Sequence, residues 1–152
     1  MKLNKTILII FFLCTTACSE KLDPYEAFAV GEYENAKQQL IPLAEQNDLK
    51  AITHLAAVYQ IERNYTEAVE LYTKAALKDH VPAQYNLGVM AYQGKGMEQD
   101  NLMSYGWLDH AREQGHPKAS DFINGFLRFE MTPNAAMQAK EEVKKLIRAA
   151  AD

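Results

Sequence analysis

The sequence predicts an all-α fold, a solenoid of antiparallel helix pairs laid side by side. Two observations carry that expectation. In residues 83–115, the small residues Ala83, Gly88 and Ala111 sit among large apolar ones at helical spacing, which suits two helices packed so closely that only short side chains fit between them. Between the two apolar-periodic segments lies Gly94-Lys95-Gly96, where glycine can take the positive φ that ends one helix and turns the chain into the next. The second observation is repetition. Ala36, Ala44, Asn47 and Ala51 recur 32 residues later as Ala68, Ala76, Asp79 and Ala83. Moving on by 36, Gly115 and Ala119 repeat the step from Asp79 to Ala83, and Ile123 falls where Leu87 stood. A single helix pair cannot bury its apolar face alone, so stacked copies are the stable solution.

The elements follow in order. Asp23-Pro24 is a helix start, with Asp as cap and Pro in the first turn, opening a short helix over 24–30 that Gly31 breaks. Residues 33–46 form the second helix of an incomplete first repeat, with Leu40, Leu43 and Ala44 inward and Pro42 expected to bend it. Residues 50–62 and 65–78 make the next pair, joined at Arg63-Asn64, with Leu55, Val58, Tyr59, Ala68, Leu71, Tyr72 and Ala75 inward. Residues 82–93 and 101–114 make the third, with Leu87, Met90, Trp107, Leu108 and Ala111 inward. Helices over 117–130 and 133–150 close the array. The last has Glu141 and Glu142 ahead of Lys144, Lys145 and Arg148, an order that suits its own dipole and gives a solvated face.

The pattern Ala-x-x-x-Leu-Gly, Gly-x-Gly, Asp100, Trp107, Ala111, Gly115 resembles the Sel1-like repeat, a relative of the tetratricopeptide repeat. The copy departs from it at Ala91, where the family usually has the tyrosine that this chain carries at Tyr92. The copy over 51–79 lacks the Gly-x-Gly loop but has Tyr59 in the tyrosine place. The resemblance implies a right-handed α-solenoid over 24–130, capped by the helix within 131–152. It also implies a protein-binding role, in which the first helix of each pair lines the concave side. On that guide the partner-binding candidates are His54, Tyr85, Asn86 and Val89, with Val58 and Tyr92 near them. The valines and tyrosines read as core before they read as groove, since such residues at helical spacing usually pack between helices. His54 and Asn86 stand out because they share one repeat position and are polar beside the apolar Leu55 and Leu87.

Residues 1–17 read as an export signal: Lys2 and Lys5, an apolar run over 7–14, then the small-residue zone Thr15-Thr16-Ala17. Ala17-Cys18-Ser19 resembles the end of a bacterial lipobox, which implies a lipid anchor on Cys18 and a tether over 18–23. Thr15 stands where leucine is usual, so ordinary cleavage after Ala17 is the alternative, leaving a soluble secreted protein. Residues 19–23 reach at most roughly 18 Å, which would hold the domain close to the membrane. Ser19, rather than Asp, favours the outer membrane, with the domain facing the periplasm.

Cleavage would leave Cys18 as the single cysteine, which excludes a disulfide and is explained by lipidation. His54, His80, His110 and His116 show no two-ligand helical spacing, so neither metal nor cofactor is expected. The chain after residue 17 carries 14 basic against 20 acidic residues, which argues against a nucleic-acid partner and points to a protein or peptide. No Ser-x-x-Lys, His-Glu-x-x-His or Gly-x-Ser-x-Gly motif appears, so no catalytic residue is assigned and an envelope hydrolase is the weakest reading. The expectation is a lipid-anchored interaction module of the bacterial cell envelope.

Overall fold

The computed structural model describes residues 22–128 and 130–152. The signal segment, Cys18 and Ser19 lie outside the described residues. Helices follow one another as α1 (Pro24–Ala29), α2 (Tyr33–Glu45), α3 (Leu49–Ile61), α4 (Tyr65–Ala76), α5 (Val81–Gln93), α6 (Asn101–Glu113), α7 (Ala119–Phe122) and α8 (Pro133–Ala151). Among the described residues there is no strand. From α1 to α6 each helix packs on the next, α7 returns to α6, and α8 docks on α6 as well. This is an all-α solenoid.

Local chemistry sets the helix ends. Asp23 accepts from the backbone N–H of Tyr25 and Glu26 at 2.8 and 3.0 Å, and Asp48 does the same for Lys50 and Ala51 at 2.9 and 3.1 Å. Asp100 and Thr132 cap α6 and α8 in the same way. At the other ends, Gly31, Asn47, Arg63 and Asp79, 16 residues apart, all take positive φ, and Gly115 repeats the device. The amide after each then reaches a carbonyl in the last helical turn, as Glu32 does to Ala27, Asp48 to Leu43, Asn64 to Tyr59, His80 to Ala75 and His116 to Ala111. One turn geometry, repeated after α1, α2, α3, α4 and α6, generates the solenoid.

Small residues sit where two helices meet. A Cβ on Gly88 would lie 2.7 Å from Leu108 Cγ, so only glycine lets α5 and α6 approach as they do. Gly96, at φ +74°, folds the α5–α6 loop over the start of α4, where a Cβ would lie 2.3 Å from the Tyr65 carbonyl oxygen. The core runs from Ala27 to Val143 and includes Leu40, Leu55, Val58, Tyr72, Leu87, Met90 and Trp107. Burial holds the Tyr72 phenol well above its ordinary range, and its hydroxyl donates to Gln60 Oε1 at 3.1 Å. α2 continues through Pro42 to Glu45 without interruption.

The expected helix over 117–130 is corrected. Pro117 and Lys118 lie in a turn, α7 begins only at Ala119 without a side-chain cap, and after four residues it widens into a π-helical segment, Ile123–Leu127. No Ser, Thr, Asp or Asn stands among residues 114–118 to cap it earlier. The wider turn sets Phe122 and Phe126 side by side, ring centroids 4.8 Å apart. The capping helix expected within 131–152 docks on α6, through contacts that the sequence did not mark. Gly106 of α6 admits it, since a Cβ there would meet the Ala139 carbonyl oxygen at 2.6 Å. Asp109, 2% exposed, then receives Arg112 Nη2 at 2.7 Å from its own helix and Lys140 Nζ at 2.8 Å from α8.

Candidate interaction surface

His54, Asn86 and Phe122 occupy one register position in α3, α5 and α7, the first helices of successive pairs. Their surroundings differ. The His54 ring meets Tyr25 and Phe28 of α1 edge-on at 4.9 and 5.2 Å, and its Nδ1 lies 2.8 Å from the Lys50 carbonyl oxygen. Lys50 Nζ lies over the same Tyr25 ring, 3.6 Å from its centroid. Helix α1 thus covers this end of the first-helix face.

Tyr85, Val89 and Tyr92 form a stripe at i, i+4 and i+7 on α5 and pack with Leu108, Ile123 and Leu127 in a second apolar cluster. Tyr85 stacks on His116 at 4.1 Å and 16°, and Tyr92 meets Phe122 and Phe126 at 5.4 and 5.7 Å. Burial, with Lys118 nearby, holds the His116 imidazole below its ordinary pKa. Phe126 remains 54% exposed and, with Tyr85, Lys118, Asp121 and Phe122, borders a hollow of about 370 Å³. Asn86 is half-buried, and its amide makes no hydrogen bond among the described residues. Val58 is fully buried in the core.

A polar knot joins consecutive pairs. Asp79 Oδ1 accepts from Gln84 Nε2 at 2.8 Å, from Gln114 Nε2 at 2.8 Å and from His110 Nε2 at 3.0 Å. Burial pushes its carboxyl up, but these three bonds outweigh it and hold the group below the usual carboxylate range. His80 Nδ1 lies 3.0 Å from Thr53 Oγ1, whose own proton goes to the Leu49 carbonyl. The imidazole therefore donates, and burial, together with the nearby His54, holds it below its ordinary pKa.

The structure thus holds two units of about one helix pair each, with close small-residue contacts, a Gly-x-Gly loop folded over the preceding helix and a buried Trp107. Residues 49–80 and 81–116 match the Sel1 repeat. Two stretches of the chain are therefore similar to the Sel1 repeat. The first spans α3 and α4, the second α5 and α6. Over 113 residues the chain is 31% identical to Protein SHC1 of Saccharomyces cerevisiae strain S288c, and equally to that of strain YJM789. The match covers 68% of this chain, and the chain spans about a fifth (21%) of the length of those relatives. No solved structure matches the chain. Sel1 repeats indicate a protein-interaction module.

Three features of this surface escaped the sequence. The α1 cover on His54 had a signal in the aromatic pair Tyr25 and Phe28 one turn apart. The acceptor role of Asp79 was masked by its place in a turn, where Asp is common for backbone reasons. Nothing in the sequence placed Lys140 opposite Asp109.

Proposed function

We propose that this chain is a lipid-anchored protein–protein interaction module of the bacterial cell envelope, an assembly or accessory factor rather than an enzyme. The observation that carries the binding half is the Sel1 pair α3–α6, which presents Asn86 half-buried and unpaired between the aromatic clusters around His54 and Tyr85. An amide in that setting has hydrogen-bonding capacity to offer a backbone or side chain laid along the face. The anchoring half rests on the sequence alone: Lys2, Lys5, the apolar run over 7–14, and Ala17-Cys18-Ser19. Each buried methylene of an acyl chain contributes about 0.8 kcal/mol, so two or three chains on Cys18 would hold the domain firmly at the membrane. Ser19 supports the outer membrane, facing the periplasm.

Thr15 favours the second reading, a soluble secreted binding protein cut after Ala17. Growth with a radioactive fatty acid separates the two. The anchored reading expects labelled wild-type protein in the membrane fraction and no label on Cys18→Ala. Unlabelled wild-type protein that washes off in alkaline carbonate overturns it.

A further inference from the structure

The outer layer of the solenoid carries a trough that the first-helix face does not share. It runs between α2 and α4 over α3 and encloses about 360 Å³. Its floor is apolar: Ile41 from α2, Leu55 and Tyr59 from α3, and Leu71 from α4. Its rim is acidic, with Glu45, Glu67 and Glu70 against the single base Lys74. Among the described residues none of these three carboxylates makes an ion pair.

Register explains why the trough is open. Trp107 and Ala91 stand in the next repeat where Leu71 and Tyr59 stand here. Trp107 is buried at 2% exposure in the main core, whereas Leu71 is only partly buried. Leu71 has less bulk than an indole, and with Tyr59 it lines the trough. The chain also shows what suits this floor. Lys37 lays its ammonium 4.6 Å from the centroid of the Tyr59 ring and 2.7 Å from Glu62 Oε2, a cation held between an aromatic face and a carboxylate.

We propose that this trough binds a cationic amphipathic segment of a partner protein: a large apolar side chain seated on Leu55 and Leu71, flanked by Lys or Arg that meet Glu45, Glu67 and Glu70. The proposal rests on the reading of the chain as an interaction module but concerns a separate face. The chemistry is charge complementarity around an apolar anchor, in which the carboxylates speed encounter and select against acidic segments while burial of the anchor slows release. Exposed acidic rims are screened by salt, so the affinity must fall as ionic strength rises.

The test is fluorescence anisotropy with the purified full chain and a short labelled peptide of alternating leucine and lysine, against the same peptide with glutamate for lysine. Saturable binding of the lysine peptide that weakens in salt, with no binding of the glutamate peptide, is expected. Glu67→Lys combined with Glu70→Lys should weaken it by about tenfold or more. Leu71→Trp, which installs the indole of the next repeat, should abolish it. The two glutamates are exposed, so their variant keeps the test standing if Leu71→Trp fails to fold. Equal binding of both peptides, no binding of either, or unchanged affinity in the charge variant overturns the proposal. A partner crosslinked through Asn86 while the peptide fails would remove the trough and leave the interaction module standing.

Discussion

Trp107 and Leu71 occupy the same place in consecutive repeats, and truncating each to Ala should give two very different costs. Trp107 is 2% exposed within the main core, so Trp107→Ala removes a large buried ring and leaves a cavity that the backbone contacts at Gly88 and Gly106 keep from collapsing. The expected loss is about 3–5 kcal/mol, a large part of a small domain's stability. Leu71 borders the open trough and is only partly buried, so Leu71→Ala forfeits part of a transfer energy and creates no closed cavity. About 1–2 kcal/mol is expected there. Urea unfolding followed by far-ultraviolet circular dichroism measures both, since the helices report the transition without needing the indole. Equal costs, or a loss below about 1 kcal/mol for Trp107→Ala, would refute the register and the burial assigned to it.

Arg63 holds positive φ at the place where Gly31 stands one repeat earlier. Arg63→Gly should therefore raise stability by about 0.5–1 kcal/mol, and a lower melting temperature would show that the side chain outweighs the backbone strain. Asp109→Ala removes the carboxylate that Arg112 and Lys140 share, at a cost of about 1–3 kcal/mol, because both bases are partly exposed and can turn to water. Amide exchange should accelerate in α8 before it does in α3, and a uniform change would contradict the docking assigned to this pair. Burial holds His80 and His116 below the ordinary 6.5, so the unfolded chain binds protons that the folded chain refuses. Stability should be full above about pH 6.5 and decline as pH falls below it, with a shallower decline in His80→Gln. A stability that is flat between pH 7 and about 5 would show that these rings are not buried in the folded state.

Helix existence and repeat spacing were legible because they rest on local and periodic chemistry. The Ala36/Ala68 and Ala51/Ala83 correspondences, and the turn residues Asn47 and Asp79, marked the same physical demands in successive pairs: a short side chain at a helix contact and a residue that tolerates positive φ. Arg63 shows the limit, since arginine carries no preference for that conformation and only its place in the repeat indicated the turn. The break at residues 117–122 was hidden because Pro117 reads as a helix start, while the widening that follows depends on Phe122 and Phe126 finding the tyrosine stripe of α5. The docking of α8 depends on Gly106 and Asp109, which look like an ordinary small residue and an ordinary surface acid until the last helix lies on them. Of the candidate surface, the register shared by His54 and Asn86 was legible. The aromatic rings of α1 over His54, and the stacking of Tyr85 on His116, are tertiary facts with no periodic signature.

Whether the first-helix face meets a partner at the membrane decides the proposed function. A photoreactive benzoylphenylalanine placed at Asn86 in the full chain, irradiated in intact cells, tests this directly, with the exposed Glu141 of α8 as the control position. The account predicts a discrete adduct from Asn86 in the membrane fraction, none from Glu141, and loss of the adduct from membranes when Cys18 is changed to Ala. No adduct from Asn86, or identical adducts from both positions, would contradict it.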